Sequence, residues 1–84
     1  MTIKDIILDT RELEAPEPMS LVLSKLNLLN ENTYIVMIHR IEPQMLFVHL
    51  DRNYLNYKVI TNDNDFFIYI WDDTFKEKEI LKDK

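Results

Sequence analysis

The side chains with the widest chemical reach are two histidines, His39 and His49, and the carboxylates Glu12, Glu14, Glu17 and Glu42. His39, Glu42 and His49 are the only set that suggests a metal, because imidazole and carboxylate suit zinc or iron. Glu42 and His49 are seven positions apart across a helix start, which sets them about 10 Å apart along the axis. They cannot share one ion without bending, whereas His39 with Glu12, Glu14 or Glu17 stays open as a pairing. Ser20 and Ser24 fall on the exposed side of a helix, away from either histidine. No carboxylate pair comes with a partner base. Acid–base and serine catalysis are therefore not expected, and no catalytic residue, cofactor or metal site is assigned.

Three absences exclude further chemistry. With no cysteine in 84 residues there is no thiolate metal site, nucleophilic thiol or persulfide carrier. With no glycine there is no phosphate-cradling loop of the P-loop or dinucleotide kind. The longest apolar stretch, Phe66 to Trp71, has six residues, against the roughly 18–20 that span a bilayer. Fifteen acidic and ten basic residues leave a net charge of −5. Arg11, Arg40 and Arg52 are scattered, so neither nucleic acid nor an anionic membrane is an expected partner. The opening Met-Thr-Ile-Lys-Asp lacks a secretory layout, and the cytoplasm is the expected location.

These groups must be positioned by a small set of elements. Asp5 to Asp9 is a short apolar run between acids, suited to a buried strand. Thr10 to Pro18 is a polar loop stiffened by prolines. Met19, Val22, Leu23, Leu26 and Leu29 recur at three and four, which predicts an amphipathic helix over Pro18–Leu29 with proline in its first turn. Thr33 to His39 is strand-like. A second helix is expected over Pro43–Arg52, with Leu46 and Leu50 inward. Tyr54–Ile60 and Phe66–Trp71 read as strands joined by the turn residues Thr61 to Asp65. In the absence of glycine, asparagine is expected at left-handed positions, with Asn53 capping the second helix and Asn62 or Asn64 in the hairpin turn. One domain, 1–73, is expected, followed by a tail, 74–84, in which Thr74-Phe-Lys-Glu77 resembles a capping box for a short helix.

The segment Leu8-Asp-Thr-Arg-Glu-Leu-Glu-Ala-Pro-Glu-Pro18 resembles the opening of the TusA/SirA family of sulfur carriers, whose first helix starts at Cys-Pro-x-Pro. Here Ala15 stands in the place of the cysteine. More similar still is a related, uncharacterised bacterial family with Pro-Pro-Glu-Pro in the first loop, Glu-Pro before the second helix and Leu-(Tyr/Phe) within it. Ala15 to Pro18, Glu42-Pro43 and Leu46-Phe47 correspond. Arg40 and Ile41 depart from that pattern, where relatives more often carry an acidic and then a basic or histidine residue. The resemblance, over about Ile6 to Trp71, implies an α+β two-layer sandwich. Its order is β-α-β-α-β-β, with two helices on one face of a four-stranded mixed sheet. It implies no sulfur transfer, and it hints at redox or respiratory metabolism, because members occur fused to hemerythrin-like domains.

Two surfaces follow from this layout. If the first two strands are parallel, loops 10–18 and 39–43 converge beyond their carboxyl ends. Arg11, Glu12, Glu17, His39, Arg40 and Glu42 would line that edge, either as a polar ligand site or as a solvated rim with pairs such as Arg11 to Glu42. On the last strand, Phe67, Tyr69 and Trp71 alternate onto the side away from the helices. They form an aromatic interface for a protein partner or homodimer unless Phe75, Ile80 and Leu81 of the tail fold over them. Two functions are thus expected. One is a non-enzymatic adaptor that docks through the aromatics. The other is a sensor or enzyme accessory that takes an anion or metal at the loop edge.

Overall fold

A computed structural model describes residues 2–77 and residue 81. Four strands and two helices alternate as read from the pattern: β1 (Lys4–Asp9), α1 (Glu17–Lys25), β2 (Thr33–His39), α2 (Gln44–Arg52), β3 (Asn56–Asn62) and β4 (Asp65–Trp71). The sheet order is β1-β2-β4-β3. β1 runs parallel to β2, while β4 is antiparallel to both β2 and β3. A strand-helix-strand crossover demands the first relation and a tight hairpin the second. The fold is the α+β two-layer sandwich expected from the sequence.

Alternation sorts the sheet into two apolar faces. Leu8, Ile35, Met37, Ile68 and Ile70 point to one side, where Val22 of α1 and Leu46 and Leu50 of α2 cover them. On the other side Tyr34 and Val36 are buried with Phe75 and Leu81 of the tail, and Phe67, Tyr69 and Trp71 pack half-buried against them. Tyr34 meets Phe75 edge-on at 5.5 Å and stacks with Tyr69 at 6.3 Å between centroids. Burial there pushes the Tyr34 hydroxyl pKa up.

Local chemistry moves several boundaries. α1 ends at Lys25, and Leu26–Leu28 tighten into a 3₁₀ turn rather than continuing to Leu29; asparagine at 27 is a weak helix former. The tail follows a different plan from a capping box. Asp72 Oδ1 accepts from both the backbone N–H (3.0 Å) and the hydroxyl (2.5 Å) of Thr74. The Thr74 hydroxyl is therefore spent on Asp72, and residues 74–77 are not helical. The Lys76 N–H donates to the Glu31 carbonyl at 2.9 Å and fastens the tail to the body. Ile80 lies outside the described residues.

The end of α2 corrects the asparagine expectation. Asn53 is its C-cap, with φ of −99°, but the residue with left-handed backbone is Tyr54, at φ of 57°. The Leu55 N–H reaches the Leu50 carbonyl (2.9 Å) and the Tyr54 N–H the Asp51 carbonyl (3.1 Å). These are the paired bonds of a Schellman ending, and Leu55 packs half-buried against the core cluster that holds Leu50. In the hairpin Asn64 stands in the turn as expected, between the paired residues Asn62 and Asp65, while the left-handed residue is Asp63, also at φ of 57°. A left-handed tyrosine is sterically costly, and Tyr54 is 86% exposed, so little packing is lost when its side chain is removed. Tyr54→Gly is expected to raise stability by about 0.5–1 kcal/mol, the steric relief net of glycine's extra chain entropy. An unchanged or lower urea midpoint would refute this.

Candidate functional site

β1 and β2 leave the sheet at the same edge, and the loops that follow them meet there with the first turns of α1 and α2. Between them lies an open groove of about 530 Å³, well within the range of small-molecule sites. Its floor is Met37 and its walls include Leu13, Ala15, Pro16, Met19, Ile41, Met45 and Leu46. The Ala15–Pro16 peptide bond within this wall is cis. Ile41 is 70% and Met45 63% exposed at the lip. The edge expected to be a polar site is therefore an apolar groove with polar groups around it.

The six candidate residues divide accordingly. Arg11, His39 and Arg40 line the groove. Glu12 instead joins Asp9, Arg11, Arg40 and Asp65 around a neighbouring, smaller depression. Glu17, the first residue of α1, is exposed and lines neither. Glu42 also lines neither, and its carboxylate accepts a bond from the Gln44 side-chain amide. His49 is not among the groove residues. Among the described residues, no three of His, Cys, Asp and Glu gather closely enough to hold a metal ion.

Arg11 pairs with different carboxylates than expected. Its Nε and Nη2 donate to Asp9 at 2.9 and 2.6 Å, and its Nη1 to Asp65 at 3.1 Å; Glu42 is not its partner. Asp65 escaped the sequence reading because it begins β4, 54 positions from Arg11. Arg40 donates to Glu12 at 3.1 Å in a well-exposed pair. The Arg11 side-chain bonds and its backbone N–H hold the Asp9 carboxyl down, from an ordinary 3.8 to about 2. Because the folded value is depressed, the pairing supports the fold above pH about 4 and the support is lost as pH falls towards 2. A carboxyl ¹³C titration is expected to place the Asp9 midpoint near 2 and to return it to the ordinary range in Arg11→Met. An Asp9 midpoint that ignores the substitution would refute the pairing.

His39 is held by a residue that the sequence reading passed over. Thr10 is fully buried. Its hydroxyl donates its single proton to the Ile38 carbonyl at 2.8 Å. His39 Nδ1 lies 3.0 Å from that hydroxyl oxygen and 3.1 Å from the Thr10 carbonyl. The carbonyl can only accept, and the hydroxyl proton is already committed. Both contacts therefore require a proton on Nδ1, which leaves a lone pair on Nε2 of the neutral ring. Nε2 is the ring nitrogen left for the groove. The one hint in the sequence was a threonine directly after an apolar strand, where a hydroxyl can bond the next backbone.

The fold and site together define a small α+β domain with an apolar groove and an oriented imidazole. No family model matches the chain, and no curated protein or solved structure matches it either.

Proposed function

We propose that the protein is a non-enzymatic binding module, a sensor or enzyme accessory, whose ligand occupies the groove between loops 10–18 and 39–43. The observation that carries this reading is the groove itself, an apolar concavity of about 530 Å³ with His39 beside its floor. Concave apolar sites with few, well-placed polar groups are the usual form of small-ligand pockets. The competing adaptor reading places a protein partner or a second copy on Phe67, Tyr69 and Trp71. Phe75 and Leu81 already pack into that cluster, which favours the groove.

Kinship with TusA/SirA-like proteins belongs to the same proposal. Ala15 lines the groove at the position the resemblance assigns to the carrier cysteine. Without a thiol the site holds a ligand by contact and transfers no sulfur. A link to redox or respiratory metabolism is part of the proposal through that resemblance alone.

The test is a backbone NMR titration with 2-naphthol, a probe of groove size. Shifts confined to residues 10–19 and 37–46 are expected. Met45→Glu, a change at an exposed position, should weaken binding about tenfold by setting a charge against an apolar ligand. No shift at millimolar probe, or shifts centred on the β4 aromatics, would overturn the reading.

A further inference from the structure

We infer that the groove takes a neutral aromatic alcohol or amine, whose ring lies on the methionine-lined surface and whose O–H or N–H donates to His39 Nε2. The inference rests on the groove being the ligand site and names what it selects. Four observations narrow the ligand. The first is the tautomer, since Thr10 holds the Nδ1 proton through two acceptors and the neutral ring can only accept at Nε2. A ligand lacking a donor would strip water from that lone pair and leave it unpaired, which is a strong source of discrimination at a built polar site.

The second is the state of the cationic groups. Arg11 is engaged by Asp9 and Asp65, and Arg40 by Glu12. Glu14 also lines the groove, in a chain of net charge −5. An anion would have to compete with carboxylates already in place. The third is the missing cluster of three metal-ligating side chains among the described residues, which leaves a divalent cation without a coordination shell. The fourth is composition. Met19, Met37 and Met45 all border the groove. Thioethers are adaptable in shape and make favourable contacts with aromatic ring edges. The anion and metal expected from the sequence give way to an uncharged ring with one donor.

Three matched probes test this on the intact protein: 2-naphthol, 2-methoxynaphthalene and 2-naphthoate. They share the ring and differ in bearing a donor, an ether and an anion. Titrations are run where the His39 ring ¹⁵N shifts show a neutral imidazole. 2-Naphthol is expected to bind about tenfold more tightly than the ether, the net worth of one such hydrogen bond, with the naphthoate weakest. The Nε2 resonance should move with 2-naphthol and stay in place with the ether. His39→Phe keeps a flat ring, somewhat larger than imidazole, and removes the acceptor, so the ratio should fall to one while the ether still binds. The ring shift in the unaltered protein serves equally if that variant fails to fold. Equal affinity for alcohol and ether, an unmoved Nε2 signal, or tightest binding of the naphthoate would each overturn the inference and leave the groove standing. Binding of none of the three would overturn the groove reading as well.

Discussion

Phe75→Ala is expected to destabilise the protein by about 3–5 kcal/mol, the usual cost of removing an enclosed phenyl ring. Phe75 is 1% exposed although it lies beyond the last strand, in a segment that composition alone would leave in solvent. Its ring meets Tyr34 edge-on, and the backbone on either side is tied down, by Asp72 to the Phe75 N–H and by Glu31 to the Lys76 N–H. Small domains have only about 5–15 kcal/mol in total, so this one ring supplies a large share. The comparison is Lys76→Ala, whose ion pair with Glu31 is exposed at both ends and should contribute about 0–1 kcal/mol. Urea denaturation of the two variants measures the contrast. A loss below about 1 kcal/mol for Phe75→Ala would mean that the tail leaves the sheet in solution. Phe67, Tyr69 and Trp71 would then be open to a partner, as the sequence reading expects.

The tail shows why the second face of the sheet was harder to read than the first. Spacing of three and four in α1 and α2, and alternation in the strands, are local signals, and each element they predict is present. Whether a helix-free face is covered depends on where a distant segment returns, and no local period encodes that. At the end of α2 the cap is Asn53 as expected, and only the left-handed position differs. Asn53 and Tyr54 are adjacent, and asparagine is the better left-handed residue, yet that conformation falls on Tyr54, just where the Leu55 N–H reaches the Leu50 carbonyl and Leu55 packs against the core. Packing overrides propensity there. At the site, the crossover rule brings the two loops together, and charged residues are the expected lining because loops are polar by default. Composition cannot show that Arg11, at the border of the groove, is held by Asp9 and Asp65 while Leu13, Ala15 and Pro16 make its apolar wall. Thr10 was overlooked for a related reason. Its role exists only beside His39, 29 positions along the chain.

Thr10→Val tests that role directly. Valine keeps the size and β-branching of threonine and removes only the hydroxyl. Stability is expected to fall by about 1–2 kcal/mol, the net loss of buried hydrogen bonds that the surroundings cannot fully replace. The Ile38 carbonyl still receives the Thr10 backbone N–H at 2.8 Å, and the Thr10 carbonyl still faces His39 Nδ1 at 3.1 Å, so the fold should survive. What changes is the imidazole. With one of its two acceptors gone, the Nδ1–H form loses part of its advantage, and ring ¹⁵N shifts should report a mixture of tautomers where the unaltered protein shows one. The preference for 2-naphthol over its ether should shrink in proportion, because the Nε2–H form offers the ligand a donor instead of a lone pair. Thr10→Ser, which restores the hydroxyl, should restore both. A single unchanged tautomer in Thr10→Val would show that the backbone carbonyl alone orients His39. Thr10 would then be a core residue with no part in the site.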